Sequence, residues 1–183
     1  MDQLNNASID KDSKEKRRKE IFDWIKTIAI ALIVGILLRL IVFEVVIVEQ
    51  SSMSPTILEG QRLFLSKLSY TFSEPQRGDI IVLKANDQQN YIKRVIALEG
   101  ETIQIKDSRV YINGELLQED YIDSSLVYPD FSAVRVPEGC VFVMGDNRPS
   151  SIDSRSSSLG FVSYDDIIGR VLFRLSPFTL FSR

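Results

Sequence analysis

Between Trp24 and Phe43 the chain runs for twenty residues with only two charges, Lys26 near one end and Arg39 near the other. A helix rises 1.5 Å per residue, so this stretch would be about 30 Å long, the thickness of a bilayer's hydrocarbon core. Both cations lie where long side chains can reach the headgroups. The uninterrupted part, Thr27 to Leu38, is only twelve residues, which makes a cleaved leader the alternative. However, Phe43, Glu44, Val45 and Val46 follow the apolar run, and none offers a small-x-small cleavage site, so a retained anchor is expected. The expected organisation is a polar tail over 1–20, a transmembrane anchor over 21–43 and an outer domain over 44–183. In the tail, Lys11, Lys14, Lys16, Arg17, Arg18 and Lys19 stand among five acids, a pattern of disorder or frayed helix. Basic residues flanking a span are kept in the cytoplasm, which puts everything after Glu44 outside.

The remaining residues, about 140, can bury a core. The chain's net charge is -3 and no basic excess exists beyond the tail, which excludes nucleic acid as a partner. The chain has no histidine, so Ser-His-Asp and Cys-His mechanisms are excluded and neither a metal nor a cofactor is expected. The single cysteine, Cys140, lies in the apolar run Cys140 to Met144 and reads as a buried strand position. Val45 to Val48 is β-branched, so the anchor should feed directly into a sheet. Leu63 to Leu65, Ile80 to Leu83, Tyr91 to Leu98, Thr102 to Ile105, Val110 to Ile112 and Val141 to Met144 read as further strands. Turn chemistry separates them at Gln76 to Asp79, at Asn86-Asp87 and at Asn113-Gly114, the last a hairpin signal. Val171 to Phe181 is expected as an outer strand, with Phe178 and Phe181 on the core or at the membrane interface. The fold class is therefore mainly β, one N-terminal transmembrane helix preceding a β-rich domain.

Three stretches could carry chemistry. Ser52, followed by Met53 and Pro55, lies nine residues beyond Phe43, within about 30 Å of the bilayer even if extended. Anchoring needs no hydroxyl there, and a turn or cap role is the alternative to a nucleophile. Without histidine its activating base must be Lys, Asp or Glu. Lys93 stands inside the apolar strand Tyr91 to Val95; buried, it would lose hydration and its pKa would fall. The pattern equally admits a solvent-facing lysine. The third stretch, Gly145 to Arg155, holds two acids, two arginines and three serines. It reads either as a solvated turn or as a hydrogen-bonded network that orients a site.

Taken in order, these motifs resemble the type I signal peptidases, the membrane-bound Ser-Lys endopeptidases that remove signal peptides from exported precursors, and the compact Gram-positive members in particular. The resemblance rests on Ser52-Met53-x-Pro55-Thr56, Arg77-Gly78-Asp79-Ile80-Ile81, Tyr91-Ile92-Lys93-Arg94, Gly145-Asp146-Asn147-Arg148 with Ser151-x-Asp153-Ser154-Arg155, Gly160-Phe161-Val162 and Gly169-Arg170 before Ser176-Pro177-Phe178. It implies a signal-peptidase-like β domain in which Ser52 is the nucleophile and Lys93 the general base. By the same resemblance Ser151 would hold the lysine ammonium, and Asp146, Asp153, Arg94 and Arg155 would support the site. Val48, Met53, Ile57, Tyr91 and Ile92 would line pockets for small residues one and three positions before the cut. The oxyanion would be met by the backbone N–H of Ser52. Glu49-Gln50-Ser51 departs from the family pattern, so Gln50 either donates a second hydrogen bond or points away. The implied partners are secretory preproteins, the bilayer and the export machinery. A catalytically inactive, membrane-anchored peptide-binding relative is the alternative. The spacing of 41 residues between Ser52 and Lys93 excludes a Ser-x-x-Lys arrangement, which needs one helical turn.

Overall fold

The computed structural model describes residues 2–71, 73–85 and 89–181, without the side chains of 2–16 and 37–41. The Asn86-Asp87 turn lies outside the described residues. The chain divides into two compact units, Met1–Val42 and Phe43–Arg183. The first holds one helix, α1 (Asp2–Val42), so helix extends through the tail that the sequence left as disordered or frayed. Trp24, Ile25, Ile28, Leu32, Ile33 and Ile36 are all more than half exposed on it. Among the described residues no helix is long and apolar enough to cross a membrane; the expected span includes residues 37–41, whose side chains lie outside that description.

The second unit is built of strands: β1 (Phe43–Ile47), β2 (Arg62–Ser66), β3 (Ile80–Lys84), β4 (Asn90–Ala97), β5 (Thr102–Lys106), β6 (Arg109–Ile112), β7 (Glu115–Leu116), β8 (Phe131–Arg135), β9 (Cys140–Met144), β10 (Val162–Ser163), β11 (Ile167–Leu175) and β12 (Phe178–Leu180). One sheet runs β1-β2-β11-β3-β4-β9-β10, with β12 paired to β11; a second runs β7-β6-β5-β8. β3 is buried at four consecutive positions, Ile80 to Leu83, the pattern of a strand covered on both faces. β5 alternates instead, burying Ile103 and Ile105. At the β6–β7 hairpin Asn113 and Gly114 both take positive φ, 53° and 88°, as a two-residue turn of matching twist requires. Ile96 and Ala97 of β4 and Phe142 and Met144 of β9 share one core with Ile103, Ile105, Val110 and Ile112, which joins the two sheets.

One strand departs from the expectation. β11 is not an outer strand; it lies inside the sheet, paired with β2 on one side and β3 on the other. Gly169 permits this, since a Cβ there would meet Ser66 O at 2.5 Å and could not fit between the strands. The aromatic tail then divides: Phe181 packs against the core under β2, whereas Phe178 is 66 % exposed.

Candidate active site

The segment after β1 is drawn inward by its apolar residues. Met53 and Ile57 are fully buried beside Val48, Leu63 and Val82. The Ile57 N–H donates to Met53 O at 2.9 Å, and the Gly60 N–H to Val48 O at 2.8 Å, closing the loop over its own core. Ser52, between those anchors, is left 8 % exposed.

β4 delivers the amine. It lies inside the sheet between β3 and β9, and every position from Lys93 to Ala97 is buried, so the lysine is buried whichever face it takes. Lys93 is 1 % exposed, and its Nζ donates to Ser52 Oγ at 2.8 Å and to Ile92 O at 3.1 Å. Its ring neighbour is Tyr91, 5.0 Å away. Burial lowers the Lys93 pKa from 10.5 to about 8, against a smaller upward pull from the carboxylates of Asp153 and Asp146. A hydroxyl and an amine at this separation can exchange a proton, and a pKa of about 8 leaves a useful neutral fraction near neutrality.

The turn after β9 completes the arrangement. The register that pairs Arg94 with Met144 brings Gly145 beside Lys93. A Cβ on Gly145 would collide with the Ser52 carbonyl oxygen and the Ser151 hydroxyl, so only glycine lets the turn lie this close. The Asn147 N–H donates to Ser52 O at 3.0 Å and its Nδ2 to Ser51 O at 3.2 Å. Asp146 and Asp153 are fully buried. Arg94 donates to both oxygens of Asp146 at 2.9 and 2.7 Å. Asp153 accepts from the Gly145 N–H at 3.1 Å and from Arg155 at 2.8 and 2.7 Å.

Ser151 differs from what the resemblance implies. Its Oγ is buried and makes no hydrogen bond, while Lys93 spends two of its donors on Ser52 and the Ile92 carbonyl. A groove of about 480 Å³ beside Ser52 is lined by Val45 to Gln50, Met53, Val82, Gln89, Asn90 and Ile92. It takes in Val48, Met53 and Ile92 of the expected lining, and Gln50 as well. Ile57 and Tyr91 are not part of it: Ile57 is sealed in the core, and Tyr91 packs on the opposite cluster with Ile81, Leu83 and Val95. Glu119, which no sequence motif marks, forms a buried ion pair with Arg148 at 2.5 Å. Arg148 lay inside a quoted motif; Glu119 carried no signal, being one charge in a polar loop. Among the described residues no group of His, Cys, Asp and Glu could hold a metal ion.

A serine hydrogen-bonded to a buried lysine is the pairing that the broad class of Ser-Lys hydrolases uses. The signal peptidase family, peptidase S26, matches residues 21–176, and the chain belongs to it. The chain is 37% identical over 177 residues to signal peptidase I of Bacillus licheniformis, spanning 91% of this chain and 95% of that one. It is 38% identical over 188 residues to signal peptidase I T of Bacillus subtilis strain 168, spanning 97% and 96%. A crystal structure of a signal peptidase I from Enterococcus faecalis V583 is 39% identical, covering 54% of this chain and 97% of that one, with a TM-score of 0.47.

Proposed function

We propose that this signal peptidase cleaves exported preproteins with Ser52 as nucleophile and Lys93 as general base. The observation that carries the reading is the 2.8 Å hydrogen bond between Lys93 Nζ and Ser52 Oγ in a site where burial lowers the amine's pKa to about 8. The neutral amine takes the Ser52 proton as Oγ attacks the scissile carbonyl carbon. The resulting ammonium then protonates the leaving amine, and water, activated by the same lysine, hydrolyses the acyl-enzyme. The Ser52 N–H donates to the oxyanion.

The signal peptide lies extended in the groove between the free edge of β1 and the start of β4, adding a strand. Val48, Met53 and Ile92 limit it to small side chains at the positions that point inward, an Ala-x-Ala preference. Asp146, Asp153, Arg94 and Arg155 hold the turn, and Ser151 reaches the ammonium as the third donor of Nζ becomes available during turnover. Residues 21–43 serve as a single-pass anchor in the plasma membrane, the N-terminus cytoplasmic and residues 44–183 outside. Apolar side chains exposed around α1 from Trp24 to Ile36 need a lipid environment, which supports this. The export machinery would then present the substrate at the outer surface. The contact between Ser52 and Lys93 favours this reading over an inactive, peptide-binding relative.

The test is cleavage of a purified secretory precursor with small residues one and three positions before the junction, in detergent or lipid. Wild type should cut at that junction, and Ser52→Ala and Lys93→Ala should not. Undiminished cutting by Ser52→Ala would overturn the mechanism.

A further inference from the structure

The turn that touches Ser52 is braced from outside its own sheet. We propose that Glu119 and Tyr121, on the loop between β7 and β8, are positioning residues that set the orientation of the Ser52 peptide through two arginines. The inference rests on Ser52 being the nucleophile.

The residues connect step by step. Arg148 is buried without solvent, and its Nη2 and Nη1 donate to Glu119 Oε1 and Oε2 at 2.5 and 3.0 Å. The Tyr128 hydroxyl accepts from the same guanidinium at 3.1 Å, and the remaining arm, Nε, donates to Gly145 O at 3.0 Å. A buried guanidinium with four of its five N–H donors on fixed acceptors is held against turning, so the Gly145 carbonyl is held from behind. The Tyr121 hydroxyl donates to Glu119 Oε1 at 2.6 Å, while its ring lies 3.9 Å from the Arg94 guanidinium that grips Asp146. One short segment therefore backs the cations on both sides of Gly145-Asp146.

The turn's grip on the nucleophile explains why this should matter to the reaction. Asn147 holds Ser51 O through its side chain and Ser52 O through its N–H. Ser51 C=O and Ser52 N–H belong to one planar peptide, so holding the carbonyl sets the direction in which the N–H points. That N–H is the donor proposed for the oxyanion, whose charge develops only in the transition state. Loosening the brace should therefore lower kcat and leave KM nearly unchanged.

Three variants of the full-length protein in detergent, assayed on one precursor at saturating and sub-saturating concentrations, test this. Glu119→Gln should lower kcat roughly 10- to 100-fold, the size of a small misplacement at the reacting centre, with KM within about twofold. It strands the buried Arg148 charge, so its melting temperature should also fall. The paired variant Glu119→Gln/Arg148→Met removes that stranded charge; its melting temperature should recover while kcat stays low, because the Gly145 carbonyl has lost its donor. Tyr121→Phe, which keeps the ring on Arg94, should lower kcat less than Glu119→Gln. Wild-type kcat in a folded Glu119→Gln, or recovery of kcat together with melting temperature in the paired variant, would reduce Glu119 to a structural ion pair and overturn the inference. Ser52→Ala runs alongside. If it is inert, such a result counts against the brace alone; if it still cuts, the nucleophile assignment fails first and the inference with it.

Discussion

Lys93 and Arg94 are neighbours on one strand and both are buried, yet their surroundings treat their charges in opposite ways. Arg94 meets a buried carboxylate in a two-pronged pair with Asp146 and lies against the Tyr121 ring. Lys93 meets a hydroxyl, a backbone carbonyl and a ring, with no carboxylate among its partners. Asp146 and Asp153 are near enough to raise its pKa, but each is committed to an arginine, and desolvation outweighs them. Carboxylates here pair with guanidiniums, which cannot deprotonate, while the Lys93 amine is, among the described residues, the one buried cation that can give up its proton.

Several substitutions would break or sharpen that contrast. Lys93→Ala should lower kcat on a precursor by at least about 10³-fold, the upper part of the range for a general base, measured by single-turnover cleavage. Arg94→Met should destabilise by about 3–5 kcal/mol in denaturant melts, since it strands Asp146 as a buried unpaired charge. Lys93→Met should do the reverse. The folded pKa of Lys93 lies below its unfolded value, so the native state binds fewer protons between pH about 8 and 10.5 and the wild type gains stability as pH rises through that window. Removing the amine should therefore stabilise the protein below pH 8 by up to about 3 kcal/mol, at 1.36 kcal/mol per pH unit, a gain that fades toward pH 10.5. Asp153→Asn removes the larger of the two upward pulls on Lys93, so the acid limb of its kcat/KM profile should move to lower pH. Ser151→Ala should have the smallest effect on stability, under about 1 kcal/mol, because its hydroxyl has no hydrogen bond to lose. A fall in its kcat would show that the hydroxyl meets the lysine only during turnover.

Much of this architecture was legible as apolar runs: Ile80 to Leu83 of β3 and Val141 to Met144 of β9 are unbroken apolar stretches, and β4 is apolar on either side of Lys93-Arg94. β7 and β10, two residues each, are too short to give a period, and Phe131 to Arg135 of β8 keeps most of its side chains in solvent. The interior place of β11 was hidden because an aromatic tail suggests an edge; what admits it is the missing side chain at Gly169, a tertiary fact. At the site, residue types and order pointed to Ser52 and Lys93. Burial of Lys93 beside an equally buried Arg94 could not be read from alternation, which assigns one of two neighbours to solvent. Glu119 was illegible for a related reason: its role exists only through Arg148, 29 residues later in the chain.

The most direct test is the pH dependence of kcat/KM on a secretory precursor, supported by a direct titration of Lys93 with 15N-labelled lysine in the full-length protein. The account predicts activity rising through a group with a pKa of about 8 that coincides with the Lys93 titration. An acid limb near the solvent value of about 10.4, or a Lys93 titration unrelated to the activity, would contradict it.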